Sequence, residues 1–260
     1  KFEIQKSLDL ALKIKSFFKL MIFYSDNEIF VEEMKFTIKN GETVELLFKQ
    51  ADYVDEQKTS HLDFLLRYQD IKDNFVQVLN NWIENHENNK NEYGAFGNVI
   101  TDKNTKFNIY THYFQLISAL EGYHRNTNED QEKEIKEKHK KYKAELSEQL
   151  TNLTMSSPDK KRLLKRILNS YQMSLEERLW ELINKSDIKT LLKLDNETHD
   201  LILKFVKDMR NTIGHLKESL EINNKIKSSF EYIKIVALLL MMKDISLNHT
   251  QISKHILDYD

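Results

Sequence analysis

Arg210-Asn211-Thr212-Ile213-Gly214-His215 gathers a permanent cation, a carboxamide, a glycine and an imidazole within six residues. A neutral imidazole at His215 can take the proton of a ribose 2′-hydroxyl, because its ordinary pKa lies near neutrality. The Arg210 guanidinium can clamp the scissile phosphate and hold the charge of a five-coordinate transition state. Asn211 can orient a phosphate oxygen or the imidazole. Such chemistry cleaves RNA without a metal and leaves a 2′,3′-cyclic phosphate. A surface arginine followed by a helix-capping histidine would write the same letters, so the context has to decide.

The spacing sets conditions on geometry. Five residues of straight helix advance by about 500°, so Arg210 and His215 lie roughly 140° apart. Asn211 and His215 are four apart and share a face, as do Arg210 and Gly214. Gly214 weakens the helix locally and admits a close neighbour. Two arrangements bring the cation and the imidazole together. The helix loosens at Gly214 and Arg210 curls toward His215, or two copies of the motif meet across a dimer two-fold axis.

A second polar group lies at Glu121, His124 and Arg125. Glu121 precedes the other two by three and four residues, so all three can share a helix face. They are expected to contact RNA or to support the motif; a plain helix-end salt bridge is the alternative. Further on, Lys136, Lys138, Lys140, Lys141 and Lys143 could track a phosphate backbone or simply form a solvated face.

Composition bounds the fold that must carry these groups. Of 260 residues, 40% are hydrophobic and 31% charged, enough for a soluble chain with a core. Five glycines and one proline favour long helices over turn-rich β structure. The net charge of −2 leaves nucleic-acid contact to a local patch. Without cysteine there is no disulfide framework, thiolate metal site or cysteine nucleophile. The longest clean apolar run, Ile235 to Met242, is eight residues long, too short to span a bilayer. No signal peptide is visible, so the cytosol is expected and the Asn-x-Ser/Thr matches at Asn152, Asn196 and Asn248 are accidental. The first residue is Lys1 rather than Met, which leaves room for sequence upstream.

Taken in order, Ile4 to Met21 reads as a helix with Ile4, Leu8, Ala11, Leu12, Ile14, Phe18 and Met21 on its apolar side. From Val31 to Phe48 the period changes to two around Asn40-Gly41, a hairpin signal. Phe64 to Trp82 reads as one helix, and Tyr93-Gly94-Ala95-Phe96-Gly97 as a turn-rich joint. Phe107 to Arg125 is an amphipathic helix with Ile109, Tyr113, Leu116, Ile117, Leu120 and Tyr123 inward. Asn126 to Gln149 is a projecting solvated helix or a mobile arm. Ser156-Ser157-Pro158-Asp159 starts one helix and Ser174-Leu175-Glu176-Glu177 is the capping box of another. Ser186 to Leu194 is a shorter helix. Asp195 or Asn196 caps the helix that ends in the motif, with Leu201, Phe205 and Met209 toward the core. Phe230 to Asp244 is apolar nearly all round, and Asn248 opens a short last helix. No glycine-rich phosphate loop, His-Glu-x-x-His, paired Asp-x-Asp or nucleophile elbow occurs, which speaks against nucleotide-loop enzymes, metal hydrolases and serine hydrolases. No metal or other cofactor is expected.

In order and spacing these pieces resemble the HEPN domains, and more narrowly the Apea-like HEPN family of bacterial anti-phage proteins. The resemblance rests on Phe114-x-x-Leu-x-x-Ala-Leu-Glu-x-Tyr-His-Arg125, Ser174-x-x-Glu-Arg-Leu179, Arg210-Asn211 to His215, and the apolar helix from Phe230 to Met242. Upstream, the helix into Phe17-Phe18-Lys19-Leu20, the hairpin and Phe64 to Trp82 resemble the end of the domain that precedes HEPN in that family; its β-rich first part is absent or truncated. The resemblance implies a mainly α fold: a C-terminal HEPN-type helical bundle over residues 101–260, preceded by a partial α+β segment and linker helix over 1–100. It implies a metal-independent endoribonuclease acting in anti-phage defence by abortive infection, with an RNA substrate and a homodimer whose two motifs form one cleft. No membrane or DNA partner is expected. Arg210, Asn211 and His215 carry over as the catalytic set, with Glu121, His124 and Arg125 as RNA-binding or supporting residues. The alternatives are a HEPN domain that binds RNA or nucleotide without cutting, and a structural dimerisation bundle.

Overall fold

A computed structural model describes residues 4–21, 33–37, 43–47, 66–101, 105–169, 172–185, 190–191, 193–214 and 224–247. The chain is mainly α and divides into two compact units, Lys1–Ile109 with Lys234–Asp260, and Tyr110–Ile233.

In the first unit, α1 (Ile4–Met21), α3 (Phe75–Asn88) and α4 (Lys90–Thr101) pack on one another. Strands β1 (Glu33–Thr37) and β2 (Thr43–Leu47) pair antiparallel, with Met34 opposite Leu46 and Phe36 opposite Val44. Residues 38–42, with the Asn40-Gly41 signal, lie outside the described residues, as do Val31 and Phe48. The core of this unit is aromatic: the Phe17 and Trp82 rings lie 5.8 Å apart, and those of Trp82 and Tyr93 5.4 Å. Trp82 Nε1 donates to the Lys13 carbonyl at 2.8 Å, which satisfies the one polar atom of that indole.

Three expectations fail here for local reasons. The helix read as Phe64 to Trp82 is two pieces, α2 (Tyr68–Ile71) and α3, broken by a turn at 72–74. The joint at Tyr93 to Gly97 is the middle of α4 instead. Tyr93, Phe96, Val99 and Ile100 form a buried helical stripe, and its packing outweighs the glycine cost of about 1 kcal/mol each. On α1 the buried stripe is Lys13, Phe17, Leu20 and Met21, while Leu12 is 62% exposed and Phe18 37%. A buried lysine hid the true face. Its ammonium is held by Asp9 and Glu87, each at 2.8 Å, so its methylenes pack inward without an unpaired charge.

In the second unit, α5 (Thr105–Thr127) buries Tyr113, Leu116, Ile117, Leu120 and Tyr123 as the period required. α6 (Glu129–Thr151) is a full helix, and α7 (Ser157–Asn169) packs back on it. α8 (Leu175–Lys185) opens with a reciprocal capping box: Ser174 N–H donates to Glu177 at 2.6 Å and Glu177 N–H to Ser174 Oγ at 3.2 Å. α8 packs on α9 (Asn196–Gly214), which is capped by Asp195 through the Thr198 N–H at 2.7 Å. The core face of α9 is His199, Leu203, Val206 and Met209; Leu201, expected inside, is 62% exposed. Two apolar rows compete on this helix, and the one chosen also buries His199, whose Nδ1 meets the Tyr232 hydroxyl at 2.9 Å. The last helix, α10 (Asn224–Asp244), begins six residues before Phe230 because Ile226 and Ser229 are buried as well. Most of the expected helix at Ser186 to Leu194 and all of the one opening at Asn248 lie outside the described residues.

Candidate functional site

Arg210 occupies the last turn and a half of α9, one residue past the buried Met209, so its stem is covered and its head reaches the edge of the core. The side chain is 37% exposed, and Nη2 lies 3.7 Å from Glu121 Oε2 on α5, an ion pair without a hydrogen bond. The guanidinium carbon stands 5.8 Å from the centre of the Phe114 ring, within cation–π range. Nε of Arg210 is buried and has no hydrogen-bond partner among the described residues. The buried Nε is out of reach of a ligand, but Nη2, 3.7 Å from its carboxylate neighbour, keeps its donors for an incoming acceptor.

Glu121 serves two arginines. Its Oε1 takes a 2.7 Å hydrogen bond from Arg125 Nη2 one turn along α5, while its Oε2 faces Arg210. Glu121 and Arg125 therefore pair along α5, as their spacing suggested, and Glu121 also faces Arg210. Asn211 is exposed, and Thr212 turns its hydroxyl back to the Asp208 carbonyl at 2.9 Å. Gly214 ends the described part of the helix. A Cβ there would lie 3.4 Å from Phe114 Cε2, so the close neighbour its glycine admits is this ring. His215 lies outside the described residues.

His124 points elsewhere. It is fully buried and bonded at both ring nitrogens, Nδ1 to Arg178 Nη1 at 3.1 Å and Nε2 to Glu181 at 3.1 Å. An arginine can only donate, so Nδ1 accepts and Nε2 carries the proton, giving a neutral imidazole that donates to Glu181. Arg178, 3% exposed, also donates to Glu132. The chain Glu132–Arg178–His124–Glu181 ties α5, α6 and α8 together below the surface. Buried in this way, the His124 ring is not presented to a ligand at the surface. Among the described residues no group of three or more His, Asp and Glu side chains is placed to hold a metal ion. None of the described helices is long and apolar enough to cross a membrane.

The model of the Apea-like HEPN family matches residues 114–251, more than half of the chain. The chain belongs to this family. No curated protein and no solved structure matches it significantly. The HEPN match opens at Phe114 and takes in Glu121, Arg125, Arg178 and Arg210. Phe114 opens the segment that carries the resemblance, but it was not among the expected site residues. Its signal was available: Phe114, Glu121 and Arg125 follow one another by seven and four residues, the spacing of one helix face. The lysines of α6 are less promising than they looked, since six of them share the helix with seven acids. Lys133 and Lys138 are paired with Glu129 and Glu134.

Proposed function

We propose that this HEPN protein is a metal-independent endoribonuclease. His215 is the base that activates a ribose 2′-hydroxyl, and Arg210 clamps the scissile phosphate and holds the charge of the transition state. Asn211 orients a phosphate oxygen or the imidazole, and the product carries a 2′,3′-cyclic phosphate. HEPN domains are typically ribonucleases, so the family supplies the class of reaction. The observation that carries the reading is the Arg210 head group: reachable from solvent, steered by Glu121 and Phe114, and with its Nη2 3.7 Å from the Glu121 carboxylate, beyond hydrogen-bond range. The structural Arg178 is 3% exposed and spends its Nη1 on His124 and Glu132, whereas the Arg210 side chain is 37% exposed and keeps its Nη donors for a phosphate.

In this reading Glu121 and Arg125 support Arg210, residues 101–260 form the HEPN domain, and residues 1–100 are an α+β segment with a linker helix. A homodimer brings two motifs to one cleft, and the setting is abortive, anti-phage RNA cleavage in the cytoplasm. The test is cleavage of single-stranded RNA in EDTA. Wild type should cut; Arg210→Ala and His215→Ala should lose at least about 10²-fold, the usual cost of removing one transition-state donor or the general base. A 2′-deoxy substitution at the cut site should block the reaction. Cleavage that depends on a divalent ion would end this mechanism, and RNA binding without cleavage would leave the protein a non-catalytic HEPN domain.

A further inference from the structure

Charge on the second unit is unevenly shared between the two helices of the α6–α7 pair. α6 mixes both signs, but α7 carries Lys160, Lys161, Arg162, Lys165 and Arg166 against a single acid, Asp159. In a chain of net charge −2 this is a strong local excess. Its apolar residues are occupied: Leu168 is buried, Leu163, Leu164 and Ile167 are half-buried, and the helix packs on α6. Lys161, Arg162, Lys165 and Arg166 all point into solvent. Lys161, Lys165 and Arg166 make no ion pair among the described residues. Arg162 has only a 3.9 Å approach to the exposed Asp159.

The spacing turns four charges into a surface. Lys161 and Lys165 form one row and Arg162 and Arg166 a second, each pair one turn apart, about 6 Å along the axis. The rows are about 100° apart, so the four cations cover an arc of about 140° opposite the packed leucines. Lysines flanked by glutamates neutralise one another, as on α6; rows of unpaired cations gather counterions and release them to a polyanion.

We propose that this face of α7, carried by Lys161, Arg162, Lys165 and Arg166, is an RNA-backbone contact separate from the Arg210 cluster. The identity of the polyanion rests on the ribonuclease reading; the cationic face does not. A lipid surface would want apolar groups among the charges; the exposed Leu153 and Met155 lie in the turn before α7, and no large apolar side chain of α7 is exposed within the cationic face. A phosphodiester backbone needs only the cations. Such a contact would grip RNA without reading its bases, leaving the choice of cut site to the motif.

The experiment measures binding apart from cutting, with a fluorescent 2′-O-methyl RNA that cannot be cleaved. Wild type is compared with a Lys161→Gln, Arg162→Gln, Lys165→Gln, Arg166→Gln variant across a salt series. The variant should bind at least about tenfold more weakly at low salt, and the slope of log K against log salt should shrink by about 3, since each of the four lost phosphate contacts removes about 0.7. An Arg162→Lys, Arg166→Lys variant should keep the wild-type slope. All four side chains are exposed, so far-UV circular dichroism and Tm should be unchanged; a Lys165→Gln, Arg166→Gln variant, with half the slope change, gives the same answer if the fourfold change does not fold. Equal affinity and slope in wild type and variant would overturn the proposal. So would α7-dependent binding to phosphatidylserine vesicles with RNA binding unaltered. Binding through α7 without any cleavage would sink the nuclease reading and leave this one standing.

Discussion

The Arg210 guanidinium carbon lies 5.8 Å from the centre of the Phe114 ring. The edge of the same ring lies 3.4 Å from where a Cβ on Gly214 would stand. One aromatic residue on α5 thus backs both ends of the motif's described stretch. Phe114→Leu should keep the fold but loosen the seat of Arg210. A cation–π contact of about 0.5–1 kcal/mol corresponds to a two- to fivefold slower cleavage. Phe114→Tyr should restore the rate. Gly214→Ala asks the ring to yield only a few tenths of an ångström and should be mild, whereas Gly214→Val should slow cleavage more than Phe114→Leu does. Equal rates for Phe114→Leu and wild type would show that the ring is only packing.

Arg178 gives the largest expected loss of stability. It is 3% exposed, bonded to His124 and Glu132, and its removal strands a half-buried carboxylate and a buried imidazole lone pair. Breaking such a pair from one side costs about 3–5 kcal/mol. Arg178→Met should lower Tm sharply, by about 10 °C or more. Adding Glu132→Gln should recover part of the loss, because the stranded charge is then gone. If Arg178→Met melts like wild type, the network does not hold α5, α6 and α8 together.

These residues also show where the sequence was legible. The reciprocal Ser174 and Glu177 bonds and the Asp195 cap were readable because capping depends on residues within one turn. The inward face of α5 was readable because Tyr113 to Tyr123 offer one apolar row and no rival. α1 and α9 were misread where a polar residue joined the buried row, Lys13 in one and His199 in the other, and periodicity counts only apolar letters. The site divides along the same line. Glu121 and Arg125 are a local pair and could be seen; the Glu121–Arg210 and His124–Arg178 contacts join residues 89 and 54 apart, and no spacing rule reaches that far.

Asp195 accepts from both the backbone N–H and the hydroxyl of Thr198, at 2.7 and 3.0 Å. These bonds favour the carboxylate and hold its pKa below the ordinary 3.8. A depressed folded pKa contributes stability above the unfolded value, and that contribution is lost as pH falls through the folded one. Asp195→Ala should therefore lower Tm by a few degrees at neutral pH, and the gap to wild type should close only well below pH 4. Asp195→Asn, which keeps the acceptor, should sit between the two. A gap that closes near pH 6 would assign the effect to another group.

His86 should set the opposite end of the pH response in the first unit. Its ring lies between Trp82, at 6.0 Å, and Tyr93, at 5.9 Å, and its buried Nδ1 has no hydrogen bond among the described residues. Burial pushes its pKa below 6.5 and outweighs a backbone contact that raises it; the Lys13 and Lys90 ammoniums push down with it against the pull of Asp9. The folded state therefore prefers the neutral ring. Between the folded value and 6.5 the unfolded chain binds more protons, so stability falls as pH drops through that window and levels off below it. His86→Gln cannot titrate there and should flatten part of the slope of Tm between pH 7 and pH 5, whatever it costs in packing. Because the comparison is of slopes, the other histidines cancel between the two proteins. Parallel curves for variant and wild type would mean that the imidazole is as free to charge in the fold as in the unfolded chain, and that the aromatic wall around it is wetter than its geometry implies.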